Sequence, residues 1–520
     1  MDTLGIIQTL SFLDLSWFTS LSVNAQILIV LALAFGFYMA WNIGANDVAN
    51  AMGTSVGSGA LSLKSAIIVA AIFEFGGAYF VGSSVSNTIR KGIFNPADLE
   101  TVYQAAAPTI LAIGMISALL AAGLWLQLAS YFGWPVSTTH SIVGAVVGFG
   151  CVALGPGAIN WSLTNKGVLQ IASSWILSPV AAASVAYLLF KLIQRLIFYQ
   201  KDPVRAAKKV APYLVFAVMI VMIAVTSFKG MKAFWKGQDW LTTLSNHPPS
   251  ATHPAALAIT GGAAVIIGLI GTLITAKLIN RIEDEPSDNT NQFESVYVKR
   301  SIDKARKHLR RIQSNTQSAA SNEASDLILQ LEGLSSKIEK QTDPDRTRTA
   351  LQKVEKIFVY LQILSACFVA FSHGANDVAN AIGPLSAAVQ TLKEGAILSK
   401  AAVPQWALIL GGVGIIIGLA TWGWRVMETI GRRITELTPT RGFTAEFSAA
   451  LTILLASLAG MPISTTHTLV GAVLGVGLAR GIGAINLNTI RDIAASWIIT
   501  IPAGAGLSIL FFYTLKLIFT

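Results

Sequence analysis

The sequence predicts an all-α polytopic membrane protein with about twelve transmembrane segments, arranged as two related halves. Only 12% of its residues are charged and 53% are hydrophobic, whereas about 25% of the residues of a soluble protein are charged. The mean hydropathy of +0.60 agrees with a membrane protein. A third observation, the repetition of two polar phrases, predicts the two halves. A membrane β-barrel would show short alternating strands instead.

The predicted segments are apolar stretches long enough for a membrane span or a long half-span. They lie at residues 24–42, 65–84, 105–130, 136–159, 168–190, 211–228, 254–277, 357–371, 405–424, 443–461, 464–485 and 493–515. No basic region and no obvious cleavage site accompanies the first, so we interpret it as a span rather than a signal peptide. Cys151 and Cys367 stand in apolar surroundings and offer neither a disulfide framework nor a CxxC pair.

Basic residues cluster in three loops, which fall on one side of the membrane if every segment crosses once. The clusters are Lys191, Arg195, Lys201, Arg205, Lys208 and Lys209; then Lys299, Arg300, Lys304, Arg306, Lys307, Arg310 and Arg311; then Arg432, Arg433 and Arg441. The positive-inside rule makes that side cytoplasmic and both termini extracytoplasmic. We therefore expect a multi-pass protein of the plasma membrane, or of the cell inner membrane if the source is bacterial. No basic face belongs to a soluble domain, so nucleic-acid binding is not indicated.

Each half of the chain carries the same polar phrases in the same order. They are GANDVANAMG at 44–53 and GANDVANAIG at 374–383, PVSTTHSIVGAVVG at 135–148 and PISTTHTLVGAVLG at 462–475, and a Ser-Trp pair at 174–175 and 496–497. Such duplication is typical of a transporter built from two repeats, with polar sites where they meet.

Counting single crossings gives the two repeats opposite orientations in the membrane, an inverted-topology arrangement. The segments that begin PVSTTH and PISTTH alternatively start as re-entrant hairpins, which would change the count locally. We predict a first membrane repeat at 1–200, two inserted transmembrane helices at 201–280, a partly helical cytoplasmic linker at 281–355 and a second membrane repeat at 356–520. The runs SIDKARKHLRRIQ and ASDLILQLEGLSSKIEK predict the linker helices. A mostly disordered connector is the alternative.

The GANDVAN phrases place oxygen-bearing side chains at membrane depth. These are Asn46, Asp47 and Asn50, with Asn376, Asp377 and Asn380. A buried Asp is costly in a membrane and normally marks function. The flanking glycines would permit unwound backbone and close approach. Free carbonyls from such a break, with Asp and Asn oxygens, would suit a small hard cation such as Na⁺. A hydrogen-bond network that only joins helices is the alternative.

The STTH phrases predict helix starts. Their residues are Ser137, Thr138, Thr139 and His140, with Ser464, Thr465, Thr466 and His467. Pro followed by Ser and Thr before an apolar run is typical of a capped helix N-terminus, which binds oxyanions. Two such starts facing one point could hold a tetrahedral anion, although ordinary capping is the alternative. Neither phrase contains Arg or Lys, so the anion would need cations nearby. The histidines could cap, donate hydrogen bonds or titrate.

Two further acids lie in apolar segments, Glu74 in the second and Glu446 at the start of the tenth. At the offsets of the repeated phrases their counterparts are Pro404 and Leu119, so neither acid is duplicated. The two halves therefore need not bind the same ions. No P-loop and no nucleophile–base pair is present, and we predict neither an enzyme nor a cofactor. GxxxG pairs in the repeated phrases predict close helix packing.

The paired phrases, with the stretch YLQILSACFVAFSHGANDVANAIGP, closely resemble the inorganic phosphate transporter (PiT) family of sodium–phosphate symporters and proton-coupled relatives. The resemblance covers both membrane halves. It implies an inverted-repeat helical fold with a variable cytoplasmic loop, phosphate and cation sites at the duplicated Asn/Asp and Ser/Thr positions, and a transport role for Glu74 and Glu446. The wording of both GANDVAN phrases is more similar to the sodium-coupled branch.

The resemblance thus implies import of inorganic phosphate by symport with Na⁺ through alternating access. Na⁺ would bind first at Asp47 and Asp377, and phosphate would then bind between the two Ser-Thr-Thr helix starts. We assign both acids to the phosphate site as well, because phosphate can donate a hydrogen bond to a carboxylate. A proton-coupled phosphate or metal-phosphate carrier, a sulfate permease and a membrane receptor remain alternatives. The lipid bilayer is an expected partner, and a homodimer stays open.

Overall fold

The computed structural model of the chain is built from α-helices. It describes residues 16–82, 92–163, 167–225, 253–282, 294–315, 319–341, 344–397, 403–424, 426–427, 437–481 and 487–520. The long helices are α1 Val23–Ile43, α2 Ala49–Gly57, α3 Leu63–Val81, α4 Ala107–Tyr131, α5 Thr138–Leu154, α6 Val168–Ile193, α7 Pro203–Val225, α8 Pro254–Ile279, α9 Glu294–Asn315, α10 Ala319–Gln341, α11 Pro344–Glu394, α12 Gln405–Trp422, α13 Pro439–Leu458, α14 Thr465–Arg480 and α15 Leu487–Phe519. The predicted basic residues Arg432 and Arg433 and the side chains of Lys299, Arg300 and Lys304 lie outside this description.

Nine stretches of helix within the described ranges are long and apolar enough to cross a membrane. The predicted multi-pass helical class is therefore confirmed. Each predicted apolar segment overlaps one of the labelled helices, although residues 83–84, 226–228 and 482–485 lie outside the described residues. The helices α5 and α14, which begin at the STTH phrases, have only 17 and 16 residues. At about 1.5 Å per residue they are shorter than the roughly 30 Å hydrocarbon core.

The chain divides into two compact units. The first comprises Met1–Tyr187, Val221–Ala264 and Gln362–Thr520, and it contains both copies of each polar phrase. Within it, α5 packs on α4 and α15, α12 packs on α1 and α3, and α13 packs on α14.

The second unit comprises Leu188–Ile220 and Val265–Leu361. In it, α9 and α10 pack against each other, and Arg306 and Arg310 lie 4.0 and 3.9 Å from the carboxylate of Glu332. The runs SIDKARKHLRRIQ and ASDLILQLEGLSSKIEK lie on α9 and α10.

Glycines let helices of the two halves approach closely, as the GxxxG pairs predict. A Cβ on a glycine of α5 would overlap the backbone of α15, and one on a glycine of α14 would overlap the backbone of α6. The facing residues are Ile501 for Gly144, Ala505 for Gly148, Pro179 for Gly471 and Ala183 for Gly475. Each STTH helix therefore packs on the Ser-Trp helix of the other half.

The expected unwinding at the GANDVAN phrases is not found. The second phrase lies inside the continuous helix α11, and the first continues from α1 through a π turn at Gly44–Val48 into α2. The close approach that was also expected at these glycines is found. A Cβ on Gly44 would overlap the carbonyl of Ile415, and one on Gly374 the carbonyl of Glu74. Side-chain oxygens, rather than free backbone carbonyls, are therefore the candidate ligands here.

Candidate cation and anion site

Asp47 and Asp377, the acids of the two GANDVAN phrases, lie close together in the interior of the first unit. Their side chains are 1% and 0% exposed. One hydroxyl contacts both acids: Thr138 Oγ1 donates to Asp47 Oδ2 at 2.7 Å and lies 3.5 Å from Asp377 Oδ2. The structure thus brings together two acids separated by most of the chain.

The STTH phrases begin helices, as predicted. The Ser137 hydroxyl accepts from the backbone N–H of His140 at 3.2 Å, and the Ser464 hydroxyl accepts from that of His467 at 3.1 Å. Each serine therefore satisfies one of the N–H groups that a helix start leaves open. The other backbone N–H groups of the first turn, and the positive end of the helix dipole, lie at the same two helix starts.

The threonine hydroxyls of both helix starts point to the acids or to the facing loop. Thr465 Oγ1 donates to Asp377 Oδ2 at 2.7 Å, which repeats the bond of Thr138 to Asp47. Thr466 also donates to Asp47. Thr139 donates to the carbonyl of Ile463 at 3.0 Å. The predicted hydroxyl cluster therefore exists, and here its main partners are the carboxylates.

The asparagines surround this centre through their amide groups. Asn46 Nδ2 donates to Ser130 Oγ at 3.0 Å, and Asn376 Nδ2 donates to Ser457 Oγ at 2.8 Å. The Asn380 amide donates to Thr138 Oγ1 at 3.1 Å and to Thr139 Oγ1 at 3.2 Å. The side chain of Asn50 lies outside the described residues.

Several buried oxygens of the second half have no hydrogen-bond partner among the described residues. They are Asp377 Oδ1, Asn376 Oδ1 and Asn380 Oδ1. Leaving a buried polar group unpaired costs about 1–3 kcal/mol. Carboxylate and amide oxygens of this kind are ligands for a hard cation, so the donor set fits an ion such as Na⁺.

His373, which the sequence prediction missed, links three acids. Its Nε2 lies 2.9 Å from Asp377 Oδ2 and 3.9 Å from Asp47 Oδ1, and its Nδ1 lies 3.0 Å from Glu74 Oε2. Glu74 therefore joins the site through the imidazole. The available signal was a histidine immediately before the second GANDVAN phrase, where the first phrase is preceded by Ile43.

The counterpart of Glu74 differs from the one predicted. The carbonyl of Glu74 faces Gly374 just as the carbonyl of Ile415 faces Gly44. Ile415, and not Pro404, is therefore the equivalent residue, because the connections after the two GANDVAN phrases differ in length. The expectation that Glu74 lacks an acidic counterpart still holds.

Glu446 lies in a separate cluster. It is fully buried and accepts hydrogen bonds from Thr54 at 2.7 Å, Ser55 at 2.5 Å, Ser365 at 2.5 Å and Gln362 at 3.3 Å. None of these four donors belongs to the repeated polar residues, which is why the sequence did not indicate them. The structure therefore does not place Glu446 in contact with the Asp pair.

His140 and His467 lie in a cluster of rings. His140 packs on Trp175 with ring centroids 3.8 Å apart, and His467 stacks on Trp497 at 3.4 Å. The two histidine rings are 4.3 Å apart. The Ser-Trp repeat thus supplies the partners of the STTH histidines.

The helical fold and the buried centre of acids and hydroxyls shared by two related halves define a multi-pass membrane transporter. A sequence profile described as "Phosphate transporter family" matches residues 43–508, and the chain belongs to that family. It is a transporter and not an enzyme.

Known relatives agree with this assignment. The chain is 44% identical over 501 residues to a "Putative phosphate permease" of Chlamydia pneumoniae, covering 95% of this chain and 99% of the relative. It is 43% identical over 493 residues to the "Inorganic phosphate transporter 2-1, chloroplastic" of Arabidopsis thaliana, covering 94% of this chain and 73% of the relative. A solved structure of a sodium-dependent phosphate transporter is 34% identical, covers 95% of this chain and 100% of its own, and gives a TM-score of 0.69.

Proposed function

We propose that the protein imports inorganic phosphate by symport with Na⁺ through alternating access. The observation that carries the proposal is the buried pair Asp47 and Asp377, which receives threonine hydroxyls from both STTH helix starts. The name of the solved relative, a sodium-dependent phosphate transporter, supports the choice of ion and substrate.

Na⁺ binds at the oxygens of the Asp pair and of the neighbouring asparagines. The proposed set is Asn46, Asp47, Asn50, Asn376, Asp377 and Asn380. If the carboxyls of Asp47, Asp377 and Glu74 are ionised and His373 is protonated, these four buried groups carry a net charge of −2. An excess of buried negative charge is unfavourable. Monovalent cations would therefore bind here with a large electrostatic gain.

Phosphate binds next to the cations, between the starts of α5 and α14. Its ligands are the hydroxyls of Ser137, Thr138, Thr139, Ser464, Thr465 and Thr466, with the open N–H groups of the two helix starts. The hydroxyls of Thr138 and Thr465 donate to the carboxylates of the Asp pair. Once Na⁺ takes the carboxylate oxygens, the hydroxyls can turn to phosphate. This exchange makes Na⁺ binding a condition for phosphate binding.

Alternating access uses two inverted repeats around this site. The proposed boundaries are 1–200 and 356–520, with two inserted helices at 201–280 and a cytoplasmic linker at 281–355. The recurrence of the Asn46–Ser130 contact as Asn376–Ser457 supports equivalent halves. The shortness of α5 and α14 supports re-entrant hairpins among about twelve membrane segments. We place the protein in the plasma membrane with both termini extracytoplasmic, and we assign transport roles to Glu74, His140, Glu446 and His467.

The test is uptake of radiolabelled phosphate into proteoliposomes with an inward Na⁺ gradient, an inward H⁺ gradient, or a K⁺ gradient. We expect uptake with Na⁺ alone, no inhibition by excess sulfate, and loss of uptake in Asp377→Asn. Glu100→Gln, which changes an exposed acid, is the matched control and should transport normally. Uptake driven by protons would replace Na⁺ by H⁺ as the coupling ion. Inhibition by sulfate would overturn the phosphate assignment.

A further inference from the structure

A cluster of four rings joins the two halves. Two of its members are the histidines that directly follow the STTH threonines. It consists of His140, Trp175, His467 and Trp497, and we call it the His-Trp quartet. The two histidines are each 3% exposed and Trp175 is 7% exposed. The rings come from α5, α6, α14 and α15, so the cluster ties both STTH helices to both Ser-Trp helices.

A proline leaves one backbone carbonyl in the His-Trp quartet without its usual helical hydrogen-bond donor. In an α-helix the carbonyl of a residue accepts from the N–H four residues later. Four residues after Trp175 stands Pro179, which has no N–H. The carbonyl oxygen of Trp175 lies 3.3 Å from His467 Nδ1 instead. Because a carbonyl can only accept, Nδ1 carries the proton in this contact.

The equivalent carbonyl in the other half, that of Trp497, does not lose its helical donor. Ile501 of α15 faces Gly144 in the same way as Pro179 of α6 faces Gly471. Ile501 has a backbone N–H, so the helix can supply the donor for the carbonyl of Trp497. His140 also interacts with the carbonyl of Trp497, but that carbonyl has a helical donor as well. Only the carbonyl of Trp175 depends on its histidine for a donor.

We propose that His467 is a positioning residue for the transport site. Its bond to the carbonyl freed by Pro179, together with its stacking on Trp497, fixes the start of α14 against the first half. This inference rests on the proposed function, because it takes the threonines at that helix start as groups that bind the transported ligands.

The route from the ring to the ligand site is short. Thr466 precedes His467 directly, and the backbone N–H of His467 is held by Ser464 at the helix cap. Any rotation of this first turn moves the hydroxyls of Thr465 and Thr466 away from the acids they contact. A misplacement of about 1 Å at a site of this kind can cost on the order of 100-fold in activity.

The transport test compares variants that separate the donor from the ring. His467→Phe keeps a ring without a donor, His467→Asn keeps a donor without the ring, and His140→Phe is the matched control in the other half. We expect His467→Phe to raise the KM for phosphate and the half-saturating Na⁺ concentration about tenfold, with Vmax per folded carrier unchanged. We expect His467→Asn to restore part of that loss, and His140→Phe to have a smaller effect. Equal effects of the two Phe variants, or a fall in Vmax alone, would overturn the positioning role.

Pro179→Ala provides the second test, because alanine returns the missing N–H to α6. In the double variant Pro179→Ala/His467→Phe, the KM should rise less over that of Pro179→Ala than His467→Phe raises it over the wild type. The same four proteins form a double-mutant cycle of thermal unfolding midpoints in detergent. That cycle does not depend on transport. A non-additive cycle supports the hydrogen bond even if the wild type shows no Na⁺-driven uptake, which would be a failure of the proposed function. An additive cycle overturns the inference even if the wild type transports normally.

Discussion

The hydroxyl of Thr138 contacts both acids of the site, so its removal is the sharpest single perturbation. Thr138 Oγ1 donates to Asp47 at 2.7 Å, lies 3.5 Å from Asp377, and accepts from Asn380 Nδ2 at 3.1 Å. Thr138→Val replaces the hydroxyl by a methyl group of nearly the same shape. Helix packing is retained, and what is lost is the polar contact.

The size of the effect follows from these contacts. A hydrogen bond to a charged group contributes about 1.5–3 kcal/mol. Asp47 keeps the hydroxyl of Thr466, and Asn380 keeps that of Thr139. If the Thr138 hydroxyl turns to phosphate once Na⁺ is bound, the loss falls on the phosphate-bound state. We then expect the KM for phosphate to rise roughly 10- to 100-fold, because about 1.4 kcal/mol corresponds to a factor of ten.

Two other threonines give matched controls. Thr465→Val removes the equivalent bond to Asp377, but no asparagine donates to this hydroxyl among the described contacts. Its effect should be smaller by about 1 kcal/mol, or roughly fivefold. Thr444 is equally buried, and its hydroxyl donates to the helix carbonyl of Thr440 at 2.8 Å. Thr444→Val should leave the KM unchanged.

The assay is phosphate uptake into proteoliposomes, measured as initial rates over a range of phosphate and Na⁺ concentrations and normalised to folded protein. An order of effects Thr138→Val above Thr465→Val above Thr444→Val supports the site. A Thr138→Val variant whose KM stays within about twofold of the wild type would refute the reasoning, because the contact energies set the expected change well above that.

Three further outcomes follow from other contacts. Gly374→Ala should lower the unfolding midpoint in detergent, because its Cβ would overlap the backbone of Glu74, whereas Gly261→Ala, which faces open space, should not; equal midpoints would contradict the packing argument. Glu446→Gln should cost about 1–3 kcal/mol of stability and reduce uptake, because an amide replaces a carboxylate that accepts four donors; wild-type behaviour in both assays would rule this out. His373→Phe should make the unfolding midpoint depend more steeply on Na⁺ concentration than in the wild type, with K⁺ as the control. The reason is that three buried acids lose their imidazole partner. An unchanged Na⁺ dependence would argue against this.

Local sequence chemistry predicted the two helix starts, and the duplication of the phrases predicted that their polar residues share a centre. Pro followed by Ser and Thr specifies a helix start within a few residues, and Ser137 and Ser464 cap their helices as expected. The repetition of the GANDVAN phrase indicated a shared centre, and Asp47 and Asp377 do share a hydroxyl. Neither inference needed knowledge of distant contacts.

The missed residues depend on contacts that no local pattern encodes. His373 acts at the site because α3 places Glu74 beside it, and the donors to Glu446 come from α2 and α11. The sequence left two roles open for Gly44 and Gly374, unwound backbone and close approach, and only the close approach is found. A glycine that permits unwinding and one that admits a neighbouring helix look alike in sequence, and only the facing backbone separates them.

The exchange of partners between the two halves has a consequence for how the chain matures. The glycine face of α5 fits the backbone of α15, which follows it by most of the polypeptide. During synthesis α5 enters the membrane before α15 has been made. In the same way, α6 is made before α14, on which it packs. The first half therefore has no complete set of contacts of its own at this interface. Assembly of the two halves is a late event, and a prematurely terminated chain would present exposed glycine grooves by which cellular quality control could recognise it.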